Sequence, residues 1–220
     1  MSLHLQRDLD ALKKEILILG SMVESAINNS ILALNNRDSE MAKKVVAEEA
    51  AIDDKEVFIE EECLKILALH QPVAVDLRFI VVSLKVNNDL ERMGDFAVNV
   101  AQRAIFLCEH EALPVFLEFV DVLPAVVRTM VRDALDALVK MDIDLAKEVM
   151  QMDETVDEIN RKMYLEVQSM IQNDVSTTER AINLLSTSRY LERIADLATN
   201  IAEDVIFMVD GVVVRHNETI

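Results

Sequence analysis

Glycine and proline are almost missing from this chain of 220 residues. Only 3 glycines and 3 prolines occur, whereas average usage would supply about 26 in a chain of this length. Tight turns depend on these two residues, so a chain with so few of them makes few turns. A fold with many β-strands needs many turns and is therefore excluded. The sequence predicts an all-α protein built from long helices with few connections.

The charge balance limits the partners that the surface can bind. The chain carries 40 acidic and 22 basic residues, for a net charge of -18. Nucleic acid and anionic lipid headgroups both require a positive surface, so we expect no binding to either. Two cysteines, Cys63 and Cys108, are compatible with a reducing cytosol. We predict a cytoplasmic protein that reaches the membrane only through protein partners.

Apolar residues recur at helical spacing through most of the chain. The second predicted helix repeats every seven residues from Val45 to Ile66. Asp38 supplies a start signal for this helix. Residues 70–72 (His-Gln-Pro) end it, because proline disfavours helical geometry in the preceding residue. The seam of the first predicted helix consists of Leu5, Leu9, Leu12, Ile16, Leu19, Val23 and Ala26.

The second half of the chain repeats the first. Nine of the 17 positions in Leu90–Phe106 are identical to Leu191–Phe207. The offset between the halves falls from 108 to 104 to 101, and each step lies where a loop is expected. We therefore predict two tandem three-helix bundles made of six long antiparallel helices. The predicted units are residues 1–112 and 113–212, followed by a flexible tail at residues 213–220.

Acidic residues interrupt helix rows that otherwise face the core. Glu49 lies on such a row of the second helix and Glu91 on one of the third, and Asp153 and Glu192 hold the matching positions in the second half. Small residues beside the third-helix glutamates, such as Gly94, are expected to leave room for a ligand. A second acid follows each of these four by four residues, which puts both on one helix face with Cβ atoms about 5–6 Å apart. The pairs are Glu49 with Asp53, Glu91 with Asp95, Asp153 with Asp157, and Glu192 with Asp196.

Carboxylates that face inward need a neutralising partner, because they repel one another and lose hydration. Protonation, arginine pairing or metal ions could provide it, although Arg92 and Arg193 directly follow the glutamates and should point elsewhere. Oxygen donors without histidine suit Fe, Mn, Mg, Ca or Zn. The alternative is a set of exposed acids on an acidic protein, but four pairs in two-fold register favour metal. The candidate ligands are Glu49, Asp53, Glu91, Asp95, Asn99, Asp153, Asp157, Glu192, Asp196 and Asn200.

Three segments resemble the PhoU family of bacterial phosphate-signalling regulators. They read Q-P-V-A-V-D-L-R at Gln71–Arg78, D-L-E-R-M-G-D-F-A-V-N at Asp89–Asn99, and Y-L-E-R-I-A-D-L-A-T-N-I-A-E-D at Tyr190–Asp204. The resemblance implies two similar three-helix bundles whose E/D-x-x-x-D motifs hold multinuclear iron or zinc clusters. Those motifs map onto the four acid pairs given above. A homodimer is also expected.

The resemblance further implies a negative regulator of the phosphate-starvation response and of phosphate uptake, not an enzyme. Such a protein couples the ATPase subunit of a phosphate ABC transporter to a PhoR-type sensor histidine kinase. The sequence agrees, since its three glycines stand far apart, at positions 20, 94 and 211, and cannot form a glycine-rich phosphate-binding loop. Two alternatives stay open: a helical structural adaptor without metal, and a ferritin-like carboxylate-bridged metal protein. Ferritin-like sites use Glu-x-x-His motifs, and no such motif occurs at the acid pairs.

Overall fold

The structure, a computed structural model, describes residues 3–116 and 118–211. Within these residues every regular element is helical, which confirms the all-α prediction. A π-helical turn, Glu118–Val122, and a 3₁₀ turn, Val175–Thr177, precede the fourth and sixth α-helices. The α-helices are α1 Leu3–Asn36, α2 Ser39–His70, α3 Val75–Cys108, α4 Leu123–Lys140, α5 Ile143–Asn173 and α6 Thr178–Asp210.

The six helices pack as two sets of three. Helices α1, α2 and α3 pack on one another, and α4, α5 and α6 do the same. The two sets meet where α3 lies against α6, with a smaller contact between α1 and α4. The predicted fold of two tandem three-helix bundles is confirmed, although α4 has only 18 residues. The bounds predicted for the two units stay a prediction, and the predicted tail at residues 213–220 lies outside the described residues.

The predicted apolar seams form the core of the protein. All seven seam residues of α1 are buried, and Leu19 and Val23 are fully enclosed. The seven-residue repeat of α2 is buried along its whole length, from Val45 to Ile66. Burying one such side chain stabilises the fold by roughly 1.5–3 kcal/mol. The burial of the α2 seam fixes which face of α2 turns inward, and so fixes where its acids lie.

Local sequence determines where the helices begin and end. The Asp38 side chain accepts a hydrogen bond from the backbone N–H of Met41 at 3.0 Å, which caps α2. Asp142 caps α5 in the same way. Gln71, just before the proline, ends α2 in the left-handed region with a φ of 46°. Gly211 ends α6 with a φ of 72°, a conformation that glycine adopts without strain.

Helix α1 is long and apolar enough to cross a membrane by length and composition. Its sequence contains the apolar stretch at residues 16–23. Half of its most apolar 18-residue window is buried inside the protein. This burial is what the core helix of a helical bundle requires, because its apolar face contacts neighbouring helices.

Candidate metal centre

Helices α2 and α3 bring the four acids of the first half to one place. Asp53 extends from α2, and Glu91 and Asp95 extend from α3. One carboxylate oxygen of each of these three lies within 4.8 Å of the other two. Glu49 lies one helical turn before Asp53, on the same face of α2. We call Glu49, Asp53, Glu91 and Asp95 the first cluster.

The surroundings of the first cluster make the ionised forms of its acids unfavourable. Burial, and then the charges of neighbouring acids, raise the pKa of Glu49, Glu91 and Asp95. The charge of Asp53 acts on all three. The charge of Arg92, which is exposed, lowers the pKa of Glu91 and Asp95 in part. A cation bound among these oxygens would remove the remaining cost of ionisation.

Helices α5 and α6 hold the acids of the second half. We call Asp153, Asp157, Glu192 and Asp196 the second cluster. Burial, followed by the charges of Asp196, Asp157 and Glu192, raises the pKa of Asp153 to about 6. Burial and like charges also raise the pKa of Glu192 and Asp196, although Asp196 is exposed at the edge of the cluster. The nearby charge of Arg193 lowers both of these pKa values in part.

The two clusters differ in how closely their oxygens gather. Among residues 3–116 and 118–211, only the first cluster brings three carboxylate oxygens within 4.8 Å of one another. In the second cluster, burial and the charges of the neighbouring acids raise the pKa of Asp153 to about 6. The first cluster is therefore the better arranged to hold a cation. In the second cluster, a bound cation would offset the cost of ionising Asp153.

The acids of both clusters lack a neutralising contact in the described part of the chain. Its ion pairs involve other acids, such as Glu15 with Lys55 and Glu154 with Arg161. Arginine pairing, one of the three ways to neutralise inward acids, is therefore absent at these described residues. The remaining ways are protonation and metal. An oxygen-only donor set on two adjacent helices fits a hard or borderline cation, and the residues present fit the predicted metal site.

The structure gives two details of the predicted sites. Asn99 donates a hydrogen bond from Nδ2 to the backbone carbonyl of Asp95 at 2.8 Å, so its amide nitrogen is held by its own helix. A Cβ atom on Gly94 would lie 3.2 Å from the side chain of Ile52. The space beside Glu91 on this side is thus filled by packing, and the expectation that Gly94 leaves room for a ligand was wrong. The ligand roles of Asn99 and of Asn200, which is partly buried on α6, stay predictions.

Sequence reasoning missed a polar contact beside each cluster. Asn87 donates from Nδ2 to Oε1 of Glu56 at 3.1 Å, next to the first cluster. At the matching place in the second half, Ser188 Oγ donates to Oδ1 of Asn160 at 2.9 Å. Glu56 follows Glu49 by seven residues and lies on the same row of α2. This spacing was the sequence signal that Glu56 lies near the cluster. The pairing itself was not visible, because it joins two different helices.

Each helix pair also carries a buried oxygen atom without a hydrogen-bond partner. On α3 this atom is Oδ1 of Asn87, and on α6 it is Oγ1 of Thr199. Asn87 precedes Glu91 by one helical turn, and Thr199 follows Asp196 by three residues. Buried polar atoms are normally paired, and leaving one unpaired costs about 1–3 kcal/mol. Each cluster therefore has an unpaired buried oxygen within one helical turn of one of its acids in the sequence.

Comparison with known proteins finds the same family in both halves of the chain. A family model described as the PhoU domain matches residues 16–104 and 123–205. The chain is 39% identical over 216 residues to the phosphate-specific transport system accessory protein PhoU homolog of Pseudomonas putida, covering 98% of this chain and 84% of that protein.

Two solved structures are similar over nearly the whole fold. The crystal structure of PhoU from Pseudomonas aeruginosa superposes with a TM-score of 0.91 at 40% identity, covering 94% of this chain and 99% of that one. The phosphate transport system regulatory protein PhoU from Streptococcus pneumoniae gives a TM-score of 0.87 at 27% identity, covering 95% and 98%. The six-helix arrangement described above is therefore shared with these proteins.

Proposed function

The chain belongs to the PhoU family, and on this premise we propose that it regulates phosphate transport as an accessory protein of a phosphate-specific transport system. It acts as a negative regulator of the phosphate-starvation response and of phosphate uptake. The names of its relatives from Pseudomonas putida and Streptococcus pneumoniae support this role. The similarity to the first of these proteins extends over 98% of this chain and 84% of that protein.

The regulator works by contact with other proteins. It couples the ATPase subunit of a phosphate ABC transporter to a PhoR-type sensor histidine kinase, and it acts as a homodimer in the cytoplasm. The net charge of -18 supports protein partners with basic patches over nucleic acid or anionic lipid. Membrane association then comes from the transporter and the kinase. Catalysis is not part of this function.

Metal binding completes the proposal, and the gathered acids of the two clusters carry it. Three carboxylates of the first cluster have oxygens within 4.8 Å of one another, and no described ion pair neutralises them. Iron or zinc would be held by Glu49, Asp53, Glu91 and Asp95 in the first cluster. In the second cluster Asp153, Asp157, Glu192 and Asp196 would hold it. A bound cation supplies positive charge that lets these acids ionise, and it links α2 to α3 and α5 to α6.

Deleting the gene in the organism that encodes this chain tests the regulatory role. We expect a reporter driven by a phosphate-starvation promoter to become active in phosphate-rich medium, because the response has lost its negative regulator. Expression of the native chain from a plasmid should restore repression. A reporter that stays repressed after deletion would contradict the proposed function.

A metal-free helical adaptor is the second candidate function. The exposure of Asp53 in the first cluster favours this adaptor, because exposed acidic groups are common in proteins that bind no metal. Elemental analysis of protein purified without an affinity tag separates the two candidates. Iron or zinc bound to the chain supports the metal regulator, whereas full repression by a chain that never contains metal supports the adaptor.

A further inference from the structure

Glu56 lies beside the first cluster and is fixed there by Asn87. It follows Asp53 by three residues and therefore shares its face of α2. The Nδ2 group of Asn87 donates to Oε1 of Glu56 at 3.1 Å and to the Glu56 backbone carbonyl at 2.9 Å. Asn87 is only 1% exposed and lies one turn before Glu91 on α3. One buried amide group thus holds the Glu56 carboxylate between the two helices that build the cluster.

Two oxygen atoms at this contact accept no hydrogen bond from the described residues. Oδ1 of Asn87 is buried and has no hydrogen-bond partner. Oε1 of Glu56 accepts the bond from Asn87, and Oε2 accepts none from the described residues. A buried amide with an unpaired oxygen is unfavourable unless a further group satisfies it. Carboxylate and amide oxygens at this place are suited to a hard or borderline cation.

The matching place in the second cluster carries no charge. Asn160 stands where the first half has Glu56, and Ser188 stands where it has Asn87. Ser188 Oγ donates to Oδ1 of Asn160 at 2.9 Å, so the oxygen of this neutral side chain is already engaged. The second cluster also has a positive charge, Arg189, that acts on Glu192. The residue matching Arg189 in the first half is the neutral Asn88.

We propose that Glu56 is a further metal ligand of the first cluster and that Asn87 is the residue that positions it. The first cluster then binds a divalent cation with five acidic groups, whereas the second binds with four. This inference rests on the metal sites of the proposed function. Metal sites commonly rely on an outer hydrogen bond that orients a ligating carboxylate, and Asn87 supplies that bond here. Each added carboxylate strengthens the attraction for a cation.

Zinc titration of one cluster at a time tests the inference. The change Glu192→Gln with Asp196→Asn leaves the first cluster as the only complete one. In that protein, Glu56→Gln keeps an oxygen for Asn87 to donate to but removes the charge. We expect the Kd for Zn²⁺, measured by competition with a fluorescent chelator, to rise about 10- to 100-fold. Asn87→Ala should raise it in the same direction, and Glu61→Gln, an exposed acid on the same helix, should leave it unchanged.

A reciprocal variant protects the test against simple misfolding. Glu91→Gln with Asp95→Asn leaves the second cluster as the only complete one, and adding Asn160→Glu with Ser188→Asn builds the Glu–Asn pair into it. We expect this variant to bind Zn²⁺ more tightly, a gain that misfolding cannot produce. Equal Kd values with and without Glu56→Gln, while both clusters bind Zn²⁺, would overturn the inference alone. Absence of Zn²⁺ binding in both backgrounds would overturn the metal sites of the proposed function as well.

Discussion

Replacing Asp153 by asparagine is expected to stabilise the metal-free protein near neutral pH. Burial and like charges raise the pKa of this carboxyl group from 3.8 to about 6. Each pKa unit corresponds to about 1.4 kcal/mol between the two protonation states, so the ionised carboxylate costs the native protein up to about 3 kcal/mol. Asparagine keeps the shape of the side chain and carries no charge. In a protein of this size, such a gain raises Tm by roughly 6–12 °C.

The pH dependence of this effect has a definite sign. The pKa of Asp153 is higher in the folded protein than its ordinary value of 3.8, so the folded state binds more protons between the two pKa values. The free energy of unfolding of the metal-free protein therefore increases as pH falls through about 6 toward about 4. It decreases as pH rises through the same range. The Asp153→Asn protein lacks the part of this slope that Asp153 contributes, so the two proteins should differ most above neutral pH and least near the lower pKa.

Urea unfolding of chelator-treated protein at several pH values measures this effect. Glu148→Gln is the matched control, because Glu148 is an exposed acid on the same helix and its replacement should change stability little. Adding Zn²⁺ or Fe²⁺ should reverse the order, since metal requires the ionised ligand and stabilises the folded state by mass action. An Asp153→Asn protein that is no more stable than the native protein at neutral pH would contradict a desolvated carboxylate at this position.

Much of the fold followed from the spacing of apolar residues. The seven-residue repeat from Val45 to Ile66 predicted a helix with one buried face, and α2 buries that face. The start at Asp38 followed from its capping side chain, and the end before Pro72 followed from the geometry that proline imposes. These signals are local, because each depends on residues within one or two helical turns. A single sequence contains them in full.

Part of the first cluster could be predicted for the same reason. The i, i+4 spacing of Glu91 and Asp95 placed them on one face of α3, and the structure brings Asp53 of α2 to both. The prediction needed only that α2 and α3 are neighbours, which the repeat of three-helix units implied. The internal repeat then indicated a second set of acids at matching positions.

Contacts that depend on how two helices slide along each other could not be predicted. Asn87 meets Glu56 across α3 and α2, and a seven-residue pattern does not state which turn of one helix faces which turn of the next. Gly94 suggested an open space, but the side chain of Ile52 fills it. The degree of burial was hidden in the same way. Asp153 and Glu49 match in the repeat, and burial raises the pKa of both, that of Asp153 to about 6.

Changing Glu91 to glutamine and Asp95 to asparagine together is expected to empty the first cluster and leave the second one filled. These two residues supply two of the three carboxylates whose oxygens lie within 4.8 Å of one another. Without them, α2 alone provides charged ligands, and the metal no longer links α2 to α3. The second cluster lies on α5 and α6, so its ligands are unaffected. Elemental analysis of untagged protein should show that the variant keeps only the metal of the second cluster.

The reciprocal change, Glu192→Gln with Asp196→Asn, is the matched control, and it should remove only the metal of the second cluster. The helical circular dichroism of both proteins should equal that of the native chain, because none of the four changed side chains is fully buried. Metal content that is unchanged in both variants would contradict the ligand assignment.

In cells, a chain with Asp153→Asn and Asp157→Asn should leave the phosphate-starvation reporter active in rich medium if the metal is needed for signalling. Full repression by a chain with both clusters emptied would instead show that the metal is dispensable for regulation. Regulation would then depend on surface contacts, such as those of the segment Gln71–Arg78. This segment is present only in the first half of the chain.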